Sequence, residues 1–253
     1  MASELKDLRC KKDDVLGYVQ YMCLLSLIVS SSSYRTESPP IRIVVGKPGK
    51  ERTFYVHEAS IKSRSSFFEK ASSGEWEEAQ ERRVALKEDD PETFKAYLHW
   101  VYTGKIASSA PGTGLVEYRP LMQLYALAER LLDTELRDRL VEAIVAMSRE
   151  RHPQAKNRNF PGPSEIKIVY ENTPESSPLR RLLVDMYVAR GTQHFEISAT
   201  NGVDFLVDVT KALLAERTIS EETRKQKFAE IDEGSPCSYH HHDKDKPCGG
   251  KPV

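Results

Sequence analysis

The central part of this chain has no cysteine. The four cysteines among its 253 residues are Cys10, Cys23, Cys237 and Cys248, so none lies between residues 24 and 236. A disulfide therefore cannot cross-link the centre of the protein to itself. This distribution is typical of proteins from a reducing compartment, where a hydrophobic core holds the fold. We expect an intracellular protein, in the cytoplasm or the nucleus.

The chain also has no excess of charge of either sign. It contains 37 basic and 38 acidic residues, which gives a formal net charge of -1. A nearly neutral protein has no overall field that attracts phosphate backbones, so general nucleic-acid binding is not expected. Its 39% hydrophobic and 30% charged residues are instead typical of a folded globular protein.

A long apolar run is missing as well. The most apolar segment is Val15–Val29, and a glycine, a glutamine and a serine interrupt it. Crossing a bilayer takes about 20 apolar residues, so we do not expect a membrane span. Two lysines before the segment resemble the start of a signal peptide, but two aspartates directly before it and the lack of a convincing cleavage pattern oppose that interpretation. We expect a helix that is buried or covered by a partner; a wrongly assigned start or a retained intron is the alternative.

Signatures of catalysis are equally scarce. The glycines of the GKPGK sequence, Gly46 and Gly49, do not have the spacing of a phosphate-binding loop, and the sequence predicts a hairpin turn there. His57 is a candidate for proton transfer because imidazole titrates near neutral pH. No acid or nucleophile stands in partnership with it, and function resides in sites rather than in lone residues. The sequence predicts that the protein is not an enzyme.

Short strands and helices alternate in the first half of the chain. The β-branched run Ile41–Val45 and the run Thr53–His57 flank the GKPGK turn and predict a hairpin. A pair of short helices follows, with Ile61, Phe67 and Phe68 as expected buried anchors. The run Arg83–Leu86 predicts a third strand.

The next predicted helix has the clearest boundaries. Asp90 is a good N-cap, Pro91 suits the first helical position, and Gly104 favours a helix end. Its apolar residues recur at helical spacing, which predicts one buried face: Phe94, Tyr97, Leu98 and Val101. Two further amphipathic helices are predicted around residues 121–131 and 136–147.

Composition divides the chain into five segments. Proline, asparagine and basic residues from His152 to Pro163 mark a linker, and two apolar helices are predicted beyond it, at Leu179–Ala189 and Val203–Ala215. A polar helix is predicted from about Ile219, where capping-box spacing occurs. The segments are an N-terminal extension (1–37), a main domain (38–150), a linker (151–177), a helical C-terminal region (178–233) and a flexible Cys/His tail (234–253).

The order of these elements resembles the BTB/POZ family. The residues that carry the resemblance are FYVHEASIKSRSSFF (54–68), EEAQERRVALKEDDPETFKAYLHWVYTG (77–104) and LYALAERLLDTELRD (124–138). The resemblance implies an α+β fold: a small mixed sheet of short strands flanked by a cluster of helices, here with a helical C-terminal extension. It also implies that His57 is a packing and hydrogen-bonding residue. The flanks SPLRRLLVDMYVARGT (177–192) and CSYHHHDKDKPC (237–248) are similar to a large group of fungal proteins whose only recognised domain is BTB.

The resemblance implies a protein–protein interaction module. Cullin-binding members carry a hydrophobic residue, any residue and a glutamate before the third strand, and Trp76, Glu77 and Glu78 occupy that place here. Trp76 and Glu78 are therefore candidate contacts to a cullin scaffold, in a substrate adaptor for a ubiquitin ligase. The alternative for Trp76 is that it covers an edge of its own domain.

Two other family roles differ in their support. Members that recruit corepressors use an aspartate and a basic residue at the positions that Pro40 and Glu58 fill here, so that role is not expected. Dimerising members place a helix where Val15–Val29 lies. A homodimerising scaffold without a ubiquitin link is therefore the alternative function.

The C-terminal tail carries the only candidate metal ligands. Thiolates and imidazoles are the ligands that zinc prefers, and four of them can close a tetrahedral site. The candidates are Cys237, His240, His242 and Cys248. Because their spacing is not that of a standard finger, a flexible tail without metal is the favoured interpretation, and no other cofactor is expected. Arg180 and Arg181 form the basic edge of an amphipathic helix, for which packing within the chain is the commoner case.

Overall fold

A computed structural model describes most of the chain. The described residues are 9–10, 38–71, 82–107, 117–149, 160–190, 202–216, 222–223, 226 and 239–241. They form two compact units: the first falls within residues 1–112 and 127–136, the second within 113–126 and 137–253. The described residues 117–126 and 137–149 of the predicted main domain therefore belong to the second unit, a division that the composition did not suggest.

The first unit contains a three-stranded mixed sheet. Its strands follow a two-residue strand, β1 (Arg9–Cys10), and are β2 (Pro40–Val45), β3 (Arg52–His57) and β4 (Arg83–Leu86). The order is β3-β2-β4, with β2 antiparallel to β3 and parallel to β4. The predicted hairpin and third strand are thus confirmed. The turn between β2 and β3 needs Gly46, because its φ is +116° and an added Cβ would lie 2.9 Å from the carbonyl oxygen of Lys50.

The inner face of this sheet is the apolar core of the unit. Alternate residues of each strand point inward, as the two-residue period of a strand requires. The fully or nearly fully buried apolar side chains of the sheet and its helices are Ile41, Ile43, Val45, Val56, Ile61, Phe68, Val84, Leu86, Phe94, Tyr97, Trp100 and Val101. Phe67, expected to be buried, is only partly so, because its neighbour Phe68 takes the inward position.

The predicted pair of short helices is present as α1 (Glu58–Lys62) and α2 (Ser66–Ala71). Ser65 joins them to the rest of the unit. Its hydroxyl oxygen accepts a hydrogen bond from the Phe68 N–H at 3.2 Å, and its O–H donates to the carbonyl of Leu131. A serine at this position therefore caps α2 and anchors it to the chain around residue 131.

The helix α3 (Pro91–Thr103) has the boundaries that its sequence predicts. Asp90 caps its start, since a side-chain oxygen accepts from the Thr93 N–H at 2.8 Å. Gly104 ends it in the left-handed region at φ 66°, and its N–H donates to the Trp100 carbonyl at 2.8 Å. The strand β5 (Ile106–Ala107) follows and pairs with β1 in parallel.

Five helices follow β5 in the described residues. They are α4 (Tyr118–Arg130), α5 (Thr134–Arg149), α6 (Pro163–Asn172), α7 (Pro178–Arg190) and α8 (Val203–Glu216). Within the second unit α6, α7 and α8 pack against one another. The predictions for α4, α5, α7 and α8 are confirmed to within a few residues.

The helix α6 was not predicted, and it lies inside the segment expected to be a linker. Its start has a recognisable cap: Gly162 precedes Pro163, and the Glu165 carboxylate accepts from the Gly162 N–H at 3.1 Å. Ile166 and Val169 are fully buried. Residues 163–172 are therefore a packed helix, because two inward apolar residues outweigh the polar composition around them. Most of the polar helix predicted from about Ile219 lies outside the described residues.

Candidate interaction surface

The segment with the candidate cullin contacts lies outside the described residues. Trp76, Glu77 and Glu78 belong to residues 72–81, between the end of α2 and the start of β4. The chain re-enters the described structure at Arg82, whose φ of 49° is unusual for a residue other than glycine. The Arg82 guanidinium donates to the Glu58 carboxylate at 2.8 Å, which fixes this end of the segment beside α1.

His57 has a structural role in the first unit. Its backbone N–H donates to the Tyr102 hydroxyl at 3.1 Å, and its ring Nδ1 lies 3.1 Å from the same oxygen. The two rings meet edge to face, with centroids 6.0 Å apart. The end of β3 is thereby joined to the end of α3. This arrangement agrees with the hydrogen-bonding role that the resemblance implies for His57.

Glu58 is paired within its own domain. Its carboxylate lies 2.8 Å from Arg82 and 3.3 Å from Lys62, and its side chain is partly buried. A carboxylate with two cationic partners is an internal link between α1 and the start of β4. It replaces the basic residue that corepressor-recruiting members have at this position.

A buried carboxyl group joins α3 to the start of α5. Asp133 is fully buried, and its two oxygens accept from the Trp100 indole N–H at 3.1 Å and the Leu136 N–H at 2.9 Å. Burial raises the pKa of this carboxyl above its usual range, and the two hydrogen bonds partly oppose the rise. Burial, with the nearby charge of Asp133, also raises the pKa of Tyr97. Asp133, Trp100 and Tyr97 thus contribute to the packing of α3 against the start of α5.

Asp133 was not predicted as a core residue from the sequence. The signal was present, because aspartate before Thr134 and Glu135 is a good N-cap for the helix that follows. Its partner Trp100 is almost completely buried. The Arg64 guanidinium lies over the Trp100 ring, 5.0 Å from the centroid, and also pairs with Glu135.

The outer face of the sheet carries a row of exposed side chains that was not predicted from the sequence. Tyr55, Arg42 and Arg83 are neighbours across the three strands, and all three are exposed. The alternation of each strand gave the signal, since these positions point away from the buried residues on either side. The register that brings them into one row needed the sheet.

Arg180 is an internal residue of the second unit. Its side chain is buried, and it donates to the Thr173 hydroxyl at 3.1 Å and to the Tyr170 carbonyl at 2.6 Å. The guanidinium also lies 4.5 Å from the centre of the Tyr170 ring. It therefore satisfies carbonyl groups at the end of α6, where an uncapped helix leaves them without partners. Arg180 therefore packs within the chain, as expected for the basic edge of this helix.

Three residues of the C-terminal tail are packed in the second unit. The Tyr239 hydroxyl donates to Asp185 at 2.8 Å, and the Arg181 guanidinium lies 5.2 Å from the centre of the Tyr239 ring. The backbone N–H of His241 donates to Asp138 at 2.7 Å. A buried aromatic ring and two carboxylates thus hold residues 239–241, which lie within the segment expected to be a flexible tail.

The candidate zinc ligands are mostly outside the described residues. His240 alone is described, and its Nε2 lies 3.5 Å from the Glu142 carboxylate. In the part of the chain that the structure describes, no group of three or more possible ligand residues is placed to hold a metal ion. A zinc site formed by Cys237, His240, His242 and Cys248 stays a prediction.

A helix that crosses a membrane needs both length and a continuous apolar character. Among the residues whose placement is described, none of the helices is both long and apolar enough to cross a membrane. The segment Val15–Val29 lies outside those residues.

Comparison with known proteins agrees with the fold. Residues 37–148 match the family model of the BTB/POZ domain. A search of curated proteins found no match. The mixed α+β fold with helices after the domain is confirmed, whereas the relation to fungal proteins with only a BTB domain stays a prediction. Residues 37–148 are thus a BTB/POZ domain, a non-catalytic domain that mediates interactions between proteins.

Proposed function

We propose that this protein is an adaptor that joins a cullin scaffold to a client protein in a ubiquitin ligase. The BTB domain docks on the scaffold, and the helices after residue 178 contact the client. The observation that carries this proposal is the BTB/POZ match over residues 37–148, since this domain works by binding other proteins. The setting is the cell interior, as the absence of central cysteines predicts.

Trp76 and Glu78 are the proposed contacts to the cullin. Their support is their place in the sequence, in the segment between α2 and the strand that begins at Arg83. An indole offers a large anchor for a hydrophobic groove, and a neighbouring carboxylate orients the docking. The helix before this segment, α2, is bound through the Phe67 N–H, which donates to the Leu131 carbonyl at 3.4 Å, and Arg82 after the segment pairs with Glu58.

Polar groups that are buried or partly buried in the first unit link the elements of that unit to one another. Asp133 and Trp100 hold α3 to the start of α5, and His57 holds β3 to α3. Each is engaged in a link between elements. A docking role therefore rests on exposed side chains rather than on these buried groups.

A pull-down with a purified cullin tests the proposal. Wild-type protein should retain the cullin, and Trp76→Ala and Glu78→Ala should each weaken binding about tenfold or more, as truncation of an interface anchor does. Glu171→Ala is the matched control, because Glu171 is an exposed glutamate in the second unit, paired only with Lys167 in the described structure. It should bind as the wild type does.

The outcome that contradicts the adaptor role is equally direct. If wild-type protein that is folded, as judged by its circular dichroism spectrum, retains no cullin, the adaptor proposal is wrong. The homodimerising scaffold is then the remaining candidate. If Trp76→Ala and Glu78→Ala bind the cullin as strongly as the wild type and the Glu171→Ala control, these two residues are not part of the contact.

A further inference from the structure

The outer face of the three-stranded sheet presents one aromatic and two cationic side chains in a row. Arg42 on the central strand is the register partner of Tyr55 on β3 and of Arg83 on β4. Tyr55 is 72% exposed, the most exposed large apolar side chain in the described residues. Arg42 and Arg83 are exposed too. The three side chains stand side by side, since neighbouring strands lie about 5 Å apart.

This row places two like charges directly opposite each other. Such a pair on adjacent strands is destabilising, whereas an opposite-charge pair at the same place would be favourable. Within the described part of the chain, neither guanidinium has an ion pair or a side-chain hydrogen bond. Glu58, close in sequence to β3, is already bound to Arg82 and Lys62. The repulsion therefore costs stability that the described structure does not recover.

We infer that the row of Tyr55, Arg42 and Arg83 binds an acidic segment of a partner protein, at a surface separate from the proposed cullin contact. Carboxylates suit this place because a guanidinium binds them through two parallel hydrogen bonds. Bound carboxylates also cancel the repulsion between the two arginines. Tyr55 adds an exposed ring, and tyrosine and arginine are enriched among residues that dominate interface energies.

The neighbouring row limits the ligand further. Val44 on the central strand has Thr53 and Ala85 as register partners, and none of the three is charged. Among the paired positions on this face, the basic side chains therefore lie in one row, whereas a nucleic acid needs a basic stripe that follows its backbone. The net charge of -1 also gives no general attraction for phosphate. The expected ligand is a peptide with an acidic pair next to a small apolar residue that lies over Val44 and Ala85.

Fluorescence anisotropy with the full chain tests this inference. The probe is a short labelled peptide with two adjacent glutamates followed by an apolar residue, compared with its diglutamine version. The glutamate peptide should bind. The affinity of the glutamine peptide should be lower by about tenfold or more, as expected for loss of charge-assisted hydrogen bonds. Arg42→Gln and Arg83→Gln should each give a similar loss, and Tyr55→Ala a smaller one.

Lys50→Gln is the matched control. Lys50 is an exposed cation in the turn between β2 and β3, outside the row. Its removal lowers the total charge by the same amount and should leave the affinity unchanged. A loss equal to that of Arg42→Gln would show that only overall charge matters and would overturn the inference.

Thermal melting supplies the second readout. Because the two arginines repel each other, Arg42→Gln and Arg83→Gln should melt at the same temperature as the wild type or higher. A lower melting temperature in both would show that the row serves the fold, which contradicts the inference. It is also overturned if the glutamate peptide does not bind at low salt, or if a single-stranded oligonucleotide binds more tightly than the peptide.

Discussion

Single buried polar residues hold the elements of this protein together. Asp133 receives hydrogen bonds from Trp100 in α3 and from Leu136 in α5, and Arg180 donates to two residues at the end of α6. Each is buried with its hydrogen-bonding capacity used, which avoids the cost of an unpaired polar group. Aspartate and arginine side chains are mostly exposed in proteins, and the partners of these two explain why they are buried here.

His99 should make the stability of the protein depend on pH. It is 8% exposed in α3, and burial, with the charge of Lys105, lowers its pKa below the usual 6.5. The unfolded chain then binds a proton that the folded protein does not. The contribution of neutral His99 to the free energy of unfolding is fully present above pH 6.5. It is lost as the pH falls from there toward the lowered pKa of His99 in the folded state.

We therefore expect the melting temperature of the wild type to fall more between about pH 7.5 and about pH 5.5 than that of His99→Gln. Lys105→Gln should also reduce the fall, though less, because burial is the larger cause. Melting curves followed by circular dichroism at the two pH values give the comparison. An identical fall in all three proteins would contradict this account of His99.

At the scale of elements, local sequence signals account for most helix and strand boundaries. The start of α3 at Pro91 and its end at Gly104 follow from a capping aspartate and a glycine in the left-handed region. β4 covers Arg83–Leu86, as the sequence predicts. α6 was missed, because two buried apolar residues are too few to show a helical period in a polar, proline-rich context.

Removal of the cap of α3 should destabilise the first unit. Asp90→Ala loses the acceptor for the Thr93 N–H and its hydroxyl, bonds of 2.8 and 3.0 Å. The expected loss in the free energy of unfolding is about 1 kcal/mol, measured by urea denaturation. Asp90→Asn keeps an acceptor and should lose less. Equal stability of the wild type and the alanine variant would show that this cap does not contribute.

At the scale of the whole molecule, the chain combines a BTB/POZ domain with helices that extend beyond it. The match ends at residue 148, while the second unit runs from helices inside the match to α8 and the packed residues 239–241. The five segments predicted from composition did not anticipate this division. Composition shows where a chain is polar, whereas a compact unit is defined by the side chains that its helices bury together.

The apolar segment Val15–Val29 leads to a prediction about assembly. If the protein is the homodimerising scaffold, the alternative function, the full chain should form a dimer and a chain without residues 1–33 a monomer, because dimerisation would bury the apolar side chains of this segment. Size-exclusion chromatography with light scattering measures both masses. Leu24→Glu/Leu25→Glu in the full chain keeps β1 and should also be monomeric. The same mass for all three proteins would contradict dimerisation through this segment.

The sequence by itself determined the features that depend on neighbouring residues: the hairpin, the capped helix α3, the amphipathic helices and the resemblance to BTB/POZ proteins. These are local because turns, caps and helical faces involve residues a few positions apart. The tertiary structure alone decided which charges meet. The alignment of Arg42 with Arg83, the burial of Arg180 under the end of α6 and the packing of Tyr239 on α7 all join distant residues, whose contacts form only when the strands and helices have packed.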